Sequence, residues 1–238
     1  MTQQNTYLQA TARSQLNPSN RWSFPKNSKR WASGLLTGML LVAAFVSLSR
    51  KEPHTHEQSP FGDIPNLAMT AGDPYVRALM RTISASESNA ADPYVLLYGG
   101  DHIHDLAQHP DICMPITVGI NQGDCSTAAG RYQFLTSTWV EKASIYHPDP
   151  YYYAEDSTEY SFAPKYQDKV AYYWLKDESV WSVSIPALLQ QGEIEEVLRL
   201  LSGTWTSLGF GIETNSMSPY LAEIYQQVLA EELSLSGH

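Results

Sequence analysis

Glu87 is the residue of this sequence with the clearest capacity for chemistry. Helical spacing places it at the end of an apolar face that contains Val76, Leu79 or Met80, and Ile83. The negative end of the helix dipole and burial among apolar groups both disfavour an ionised carboxylate, so both would raise the pKa of Glu87. A carboxylic acid that is protonated near neutral pH can donate a proton to a glycosidic oxygen as its bond breaks. On position alone, a solvated Glu at a helix end is the more common case.

A second candidate site is the run from Ala128 to Phe134. Two alanines followed by Gly130 permit a close backbone approach, and Tyr132 and Gln133 carry aromatic and polar groups suited to contacts with sugars. An ordinary turn leading into a helix would have the same composition. The pattern therefore predicts a loop that can bind a sugar, without naming the substrate.

Five possible metal ligands also lie close together in the sequence: His102, His104, His109, Cys113 and Cys125. Zinc sites usually show tighter paired spacing, and this region is expected to be an irregular loop. We therefore predict no metal and no cofactor. In an extracytoplasmic protein the two cysteines could instead form a disulfide.

The elements that must position these residues are mostly helical. Asp73-Pro74 is typical of a helix start, and the aromatic and β-branched run from Asp92 to Asp101 indicates a strand that enters a turn. Further helical patterns run from Ser137 to about Tyr146, Pro164 to Lys176, Ile185 to Leu201 and Pro219 to Leu233. The predicted fold class is α+β, mainly helical with a small β-wing.

The N-terminal region differs from the rest of the chain in charge. Residues 1–51 contain seven Lys or Arg and no acid, whereas the other eight basic residues stand against all 25 acids. From Trp31 to Ser49 no residue is charged, and this largely apolar stretch is long enough to cross a bilayer. A cleaved signal peptide is the less favoured reading, because no convincing cleavage site precedes Arg50-Lys51.

The chain is accordingly divided into four segments. We predict a disordered cytoplasmic tail at 1–30, a transmembrane signal anchor at 31–49, a linker at 50–72 and a folded domain at 73–238. The basic residues around the apolar stretch place the N-terminus in the cytoplasm. This predicts a single-pass protein of the inner membrane with a periplasmic domain. The acidity of that domain argues against nucleic acid as a partner.

Several motifs resemble one family in the same order. They are Ala85-Ser86-Glu87, the stretch from Tyr94 to Gly99-Gly100, and Ser126 to Leu135 followed by Trp139. Together they are similar to the lambda-type phage endolysins and their bacterial relatives, lysozyme-like enzymes that act on peptidoglycan. The resemblance extends from about Tyr75 to Leu233.

The sequence also departs from that family. Ser88 stands where the family commonly has Gly, and Ala128 replaces a Gly before the Ala-Gly-Arg-Tyr-Gln run. A phage endolysin usually lacks a membrane anchor. The resemblance nevertheless implies a lysozyme-like catalytic domain at 73–238.

The resemblance implies a lytic transglycosylase with Glu87 as its general acid. Such an enzyme cuts the MurNAc–GlcNAc β-1,4 bond of peptidoglycan and leaves a 1,6-anhydro end. A hydrolytic muramidase would need a second carboxylate, for which the sequence offers Asp92, Asp101, Asp105 and Asp124. From another class, the domain could be an inactive wall-binding or scaffold module.

The resemblance also implies roles for other residues. The expected substrate-binding residues are Tyr132, Gln133, Tyr94, Tyr98 and Gly130, although the two tyrosines at 94 and 98 could equally pack within the wing. Arg131 is expected to be structural and to pair with an acid. The expected partners are glycan strands and, through the N-terminal helix, the membrane; the chain is expected to be a monomer.

Overall fold

The computed structural model describes residues 61–119, 121–149, 151–152, 158–213 and 215–237. All of them lie in the unit Thr55–His238, the second of two units in the chain. The predicted tail at 1–30 and membrane anchor at 31–49 lie outside the described residues. Within those described ranges, no helix is long and apolar enough to cross a membrane.

Helices dominate the described part of the chain. They are α1 (Pro74–Glu87), α2 (Thr136–Tyr146), α3 (Pro164–Lys176), α4 (Glu178–Trp181), α5 (Ile185–Gln190), α6 (Ile194–Leu201) and α7 (Leu221–Ser236). Two antiparallel pairs of strands join β1 (Met114–Pro115) to β2 (Cys125–Ser126), and β3 (Tyr151–Tyr152) to β4 (Thr158–Glu159). The predicted class, α+β and mainly helical, is confirmed.

Helix α1 is the central element. Asp73 caps its N-terminus, because Asp73 Oδ1 accepts from the backbone N–H groups of Tyr75 at 2.9 Å and Val76 at 3.2 Å. The helix packs mainly on α7 and also contacts α3 and α5. Its apolar face, which contains Leu79 and Ile83, is fully buried in the core. Glu87 is its last residue, as the spacing predicted.

The later helices agree with the sequence prediction in part: α7 is shifted by two to three residues from the predicted Pro219 to Leu233, α4 was not predicted, and one predicted helix is broken. Helix α3 has the predicted bounds, and α2 begins one residue earlier than predicted. The single helix predicted from Ile185 to Leu201 is instead α5 and α6, separated at Gly192. Gly192 has a φ of +87°, a left-handed conformation that ends a helix and that glycine adopts without a steric penalty.

The strand predicted from Asp92 to Asp101 is wrong. That stretch forms two short 3₁₀ helices, Pro93–Val95 and Tyr98–Gly100, joined to neighbouring segments by isolated β-bridges. Proline at the start of the first turn and Gly99 at a φ of +85° curl the backbone. The sheet of this region, β1 with β2, lies further along the chain.

A disulfide joins Cys113 to Cys125 and so ties the start of β1 to β2. The Cα atoms of the two cysteines are 5.3 Å apart. The pairing that the sequence left open is therefore present in the structure.

The folded unit begins earlier than the predicted boundary at residue 73. Ile64, Leu67 and Met69 are buried in the same core as α1. The side chain of Arg131 donates to two backbone carbonyls of this segment. Residues 61–72, assigned to the linker from their low apolar content, thus pack against the domain and hold part of its core.

Candidate active site

Glu87 lies half-buried at the C-terminal end of α1. Its Oε1 accepts a short hydrogen bond from the hydroxyl of Ser207, in the segment between α6 and α7. Among the described residues, none is hydrogen-bonded to its Oε2. The described residues therefore hold the carboxyl group at one oxygen only.

The pKa of Glu87 is raised from 4.5 to about 7. Burial is the largest cause, because it disfavours the charged form. The hydrogen bond from Ser207 lowers the pKa, and the negative charge of Glu213 raises it. The direction expected from the sequence, and burial as its cause, are confirmed.

Polar side chains surround the Glu87–Ser207 contact. Ser86 Oγ lies 2.8 Å from Ser207 Oγ and 3.0 Å from Ser207 O. Asn215 Nδ2 donates to Ser86 O at 2.8 Å, and Ser218 Oγ donates to Ser207 O at 2.6 Å. These bonds connect the end of α1 to the segment before α7, so Ser207 is held at both its hydroxyl and its carbonyl.

Tyr132 and Tyr94 lie in the core and do not line an open cleft, contrary to their predicted contact with substrate. Tyr132 is 0% exposed and Tyr94 is 7% exposed. Both hydroxyls donate to the buried carboxylate of Asp168, at 2.6 Å and 2.8 Å. A buried carboxylate needs such donors, so both tyrosines stabilise the buried Asp168 within the core.

Gly130 is also buried, and its close backbone approach is to the protein itself. Its φ is +72°, and a Cβ atom at this position would overlap Gln167 Oε1 and lie 2.8 Å from Phe162 Cζ. Gln167 Oε1 accepts from the backbone N–H of Arg131 at 2.8 Å. The predicted close approach exists, but its partner is Gln167 rather than a substrate.

Gln133 and Tyr98 remain partly exposed. Gln133 Nε2 donates to Gly130 O at 2.9 Å, and the Gln133 backbone has a φ of +46°. The predicted contact of these two residues with substrate is compatible with their exposure and stays a prediction.

Arg131 is structural, as expected, but its partners are not acids. Its guanidinium donates to Asn66 O at 2.8 Å, Pro65 O at 2.5 Å and the hydroxyl of Tyr94 at 3.0 Å. The backbone carbonyl of Arg131 accepts from Ser88 Oγ at 2.7 Å. Ser88 is the residue beside Glu87 that departs from the family pattern. Its hydrogen bond connects the end of α1 to the loop that contains Arg131.

Within the described ranges, no group of three or more His, Cys, Asp or Glu side chains is arranged to hold a metal ion. Cys113 and Cys125 form a disulfide with each other, so neither has a free thiol to bind a metal. His109 Nε2 contacts the carbonyl of Phe134 at 2.8 Å, and burial lowers the pKa of His109.

The sequence patterns gave no indication of Ser207, Asn215 or Glu213 as site residues. Ser207 lies in the run Trp205-Thr206-Ser207-Leu208, whose composition suggests no role. Asn215 and Glu213 had no local signal, because only the fold brings their segment to the end of α1. The four Asp residues proposed as second carboxylates make no hydrogen bond to Glu87 and do not contribute to its raised pKa.

We expect Gly130→Ala to destabilise the domain by about 2–4 kcal/mol, from backbone strain plus overpacking. Gly99→Ala is the matched control, since Gly99 also has a positive φ but a Cβ there would meet nothing within 4 Å. Gly99→Ala should therefore cost only about 1–2 kcal/mol. The measurement is urea unfolding of both variants, and equal losses would contradict the packing argument.

Comparison with known proteins places the chain in a family. The family model described as Endolysin matches residues 77–231. The chain therefore belongs to the endolysin family, which confirms the resemblance found in the sequence.

Among solved structures, bacteriophage lambda lysozyme complexed with a chitohexasaccharide matches with 22% identity and a TM-score of 0.49, covering 67% of this chain and 97% of that chain. A second structure, lysozyme from bacteriophage lambda, matches with 20% identity and a TM-score of 0.45, covering 70% and 97%. No curated protein matches the chain.

Proposed function

We propose that this chain cleaves the MurNAc–GlcNAc β-1,4 bond of bacterial peptidoglycan as a lytic transglycosylase, with Glu87 as general acid. The observation that carries the proposal is a half-buried carboxyl group whose pKa is about 7, at the motif that matches the family's catalytic acid. Such a group still holds its proton near neutral pH, and the Glu87 side chain is partly exposed.

The reaction needs two proton transfers through one carboxyl group. Glu87 donates its proton to the bridging oxygen while the bond from that oxygen to C1 of the muramic acid breaks. The 6-hydroxyl of the same sugar then bonds to C1 and gives its proton to the Glu87 carboxylate. The products are one glycan with a 1,6-anhydro end, a second glycan with a free 4-hydroxyl on its GlcNAc, and the regenerated acid, and no water is consumed.

A hydrolytic muramidase is the second candidate, because another carboxylate does act on Glu87. The charge of Glu213 raises the pKa of Glu87, and the Glu213 side chain is exposed. In a hydrolase, a second carboxylate would activate water or attack the sugar. Transglycosylation is favoured because it requires only the carboxyl group of Glu87, whose raised pKa explains why it is protonated. Hydrolysis would require a second carboxylate as well.

The proposed cellular setting rests on the sequence of residues 1–51. The charge pattern there supports a single-pass anchor in the inner membrane with the enzyme domain on the periplasmic side. A tethered enzyme would act on peptidoglycan close to the membrane, which suits local remodelling of the wall better than lysis.

Mass spectrometry of the soluble products tests the proposal. The purified full chain is incubated with peptidoglycan, beside the Glu87→Gln variant. Anhydromuropeptides that are absent with the variant support the transglycosylase. Products that carry added water would favour the muramidase, and Glu213→Gln would then be expected to remove them. No products from folded wild-type protein would favour a wall-binding module.

We expect the rate of cleavage to fall as the pH rises through about 7. Glu87 acts as an acid only while protonated, and its pKa is about 7. The alkaline limb of the kcat/KM profile should therefore lie near that pH. A limb close to pH 4.5, the ordinary value for Glu, would mean that the reactive acid is not in this environment.

A further inference from the structure

The side chains behind Glu87 form a chain of hydrogen bonds that runs from Asn215 through Ser86 and Ser207 to Glu87 Oε1. We propose that every bond of this chain donates towards Glu87, so that Oε1 is always an acceptor and the acidic proton is carried by Oε2. Ser207 is then the positioning residue of the catalytic acid. This inference rests on the proposed function of Glu87.

The direction of the chain is set at Asn215. Asn215 Oδ1 accepts from the backbone N–H groups of Met217 at 2.9 Å and Ser218 at 3.0 Å, and these groups can only donate. Asn215 Nδ2 lies 2.8 Å from the carbonyl of Ser86, which can only accept. Both ends of the amide therefore fix its orientation, with its N–H groups towards Ser86.

The next bond takes its direction from the first. Asn215 Nδ2 donates to Ser86 Oγ at 3.0 Å, so the Ser86 hydroxyl accepts there and must direct its own proton elsewhere. Two acceptors are within reach, Ser207 Oγ at 2.8 Å and Ser207 O at 3.0 Å. The hydroxyl oxygen is the closer of the two.

Ser218 weakens the competition for that proton. Its hydroxyl accepts from the backbone N–H of Asn215 at 3.2 Å and donates to Ser207 O at 2.6 Å. Ser207 O can accept a second bond, but it already has this short one and lies further from Ser86 Oγ than Ser207 Oγ does, so the Ser86 proton is assigned to Ser207 Oγ. Ser207 then has one proton left to donate, and its remaining partner is Glu87 Oε1.

The consequence is a catalytic acid with a fixed proton position. When Glu87 is protonated, Oε1 keeps accepting from Ser207 and the proton lies on Oε2. When Glu87 is ionised, the same bond stabilises the carboxylate. Among the described residues, Glu213 is the charged group that acts on Glu87, and its negative charge favours the protonated form.

Infrared spectroscopy of the full chain tests the proton position directly. The carbonyl band of protonated Glu87 is identified by its loss in Glu87→Gln. In the proposed arrangement the carbonyl oxygen is Oε1, which accepts a hydrogen bond. Ser207→Ala should therefore shift the band to higher frequency, and Ser207→Thr, which keeps a hydroxyl, should restore it. A band unmoved by Ser207→Ala would overturn the proposal.

Kinetics provide a second readout. Ser207→Ala should lower kcat by about tenfold with little change in KM, as expected for loss of one oriented hydrogen bond. Because that bond lowers the pKa of Glu87, the alkaline limb of the profile should move to higher pH. The deficit of the variant should therefore shrink as the pH rises. Ser144→Ala, at an exposed serine of α2, is the matched control and should change neither quantity.

The far end of the chain gives an independent variant in case Ser207→Ala fails to fold. Asn215→Asp replaces the donating amide by an acceptor, so Ser86 is no longer forced to donate towards Ser207. It should shift the same carbonyl band, whereas an unshifted band in a folded protein would contradict the directed chain. The band requires no turnover, so failure of this inference can be told from failure of the proposed function, which Glu87→Gln tests through product formation.

Discussion

Glu87→Gln is expected to lower kcat/KM for peptidoglycan cleavage by about 10²–10⁴-fold, the usual contribution of general acid catalysis. Glutamine keeps the shape and hydrogen-bonding capacity of a protonated Glu at the end of α1. Its amide can accept from Ser207 but cannot protonate a leaving oxygen. The measurement is release of soluble muropeptides by wild type and variant at equal concentration. Glu195→Gln, at an exposed acid of α6, is the control and should retain full activity.

The same variant has an expected signature in stability. The pKa of Glu87 is about 7 in the folded protein against an ordinary value of 4.5, so folding favours the protonated acid. Its contribution to stability is present below pH 4.5 and is lost as the pH rises through about 7. Glutamine does not titrate, so Glu87→Gln should be more stable than wild type above pH 7. A variant that is inactive and also unstable there would point to a structural role for Glu87.

The fold was predictable where local patterns decide it. The Asp73-Pro74 start of α1, its apolar face ending at Glu87 and the bounds of α3 all follow from capping and helical spacing. The 3₁₀ turns after Asp92 were not predictable, because aromatic and β-branched residues are equally typical of strands. The packing of residues 61–72 depends on distant partners such as Arg131, which no local pattern reveals.

The sequence predicted the position and the raised pKa of Glu87, but it predicted fewer of the residues that surround Glu87. The predicted burial of the apolar helix face accounts for the raised pKa of Glu87. The loop predicted to bind sugar is instead partly buried in the core. Tyr132 carries a polar group, and the sequence does not show that the partner of that group is the buried Asp168. Ser207 and Asn215 lie more than a hundred positions from Glu87 in sequence. Only the packing of α7 against α1 brings their segment to the acid.

That packing depends on a buried ion pair, and breaking it is the largest stability change we expect. Glu232 on α7 is 2% exposed and accepts from Arg77 Nε at 2.6 Å and Arg81 Nη1 at 3.2 Å, both on α1. Glu232→Gln preserves size but leaves the two guanidinium groups without the buried charge that offsets their desolvation. Removing one partner of a buried pair costs about 3–5 kcal/mol, so thermal unfolding should occur roughly 6–20 °C lower.

Glu231 offers a matched control on the same helix. It also binds Arg81, at 2.6 Å, but its side chain is 45% exposed, so water screens the charge of Glu231. The buried Arg81 also keeps the carboxylate of Glu232 when Glu231 is replaced. Glu231→Gln should cost no more than about 1 kcal/mol. Because the segment that carries Ser207 and Asn215 is held between α6 and α7, Glu232→Gln should also reduce activity at temperatures below its unfolding transition. Equal losses of stability in the two variants would mean that burial does not decide the strength of these ion pairs.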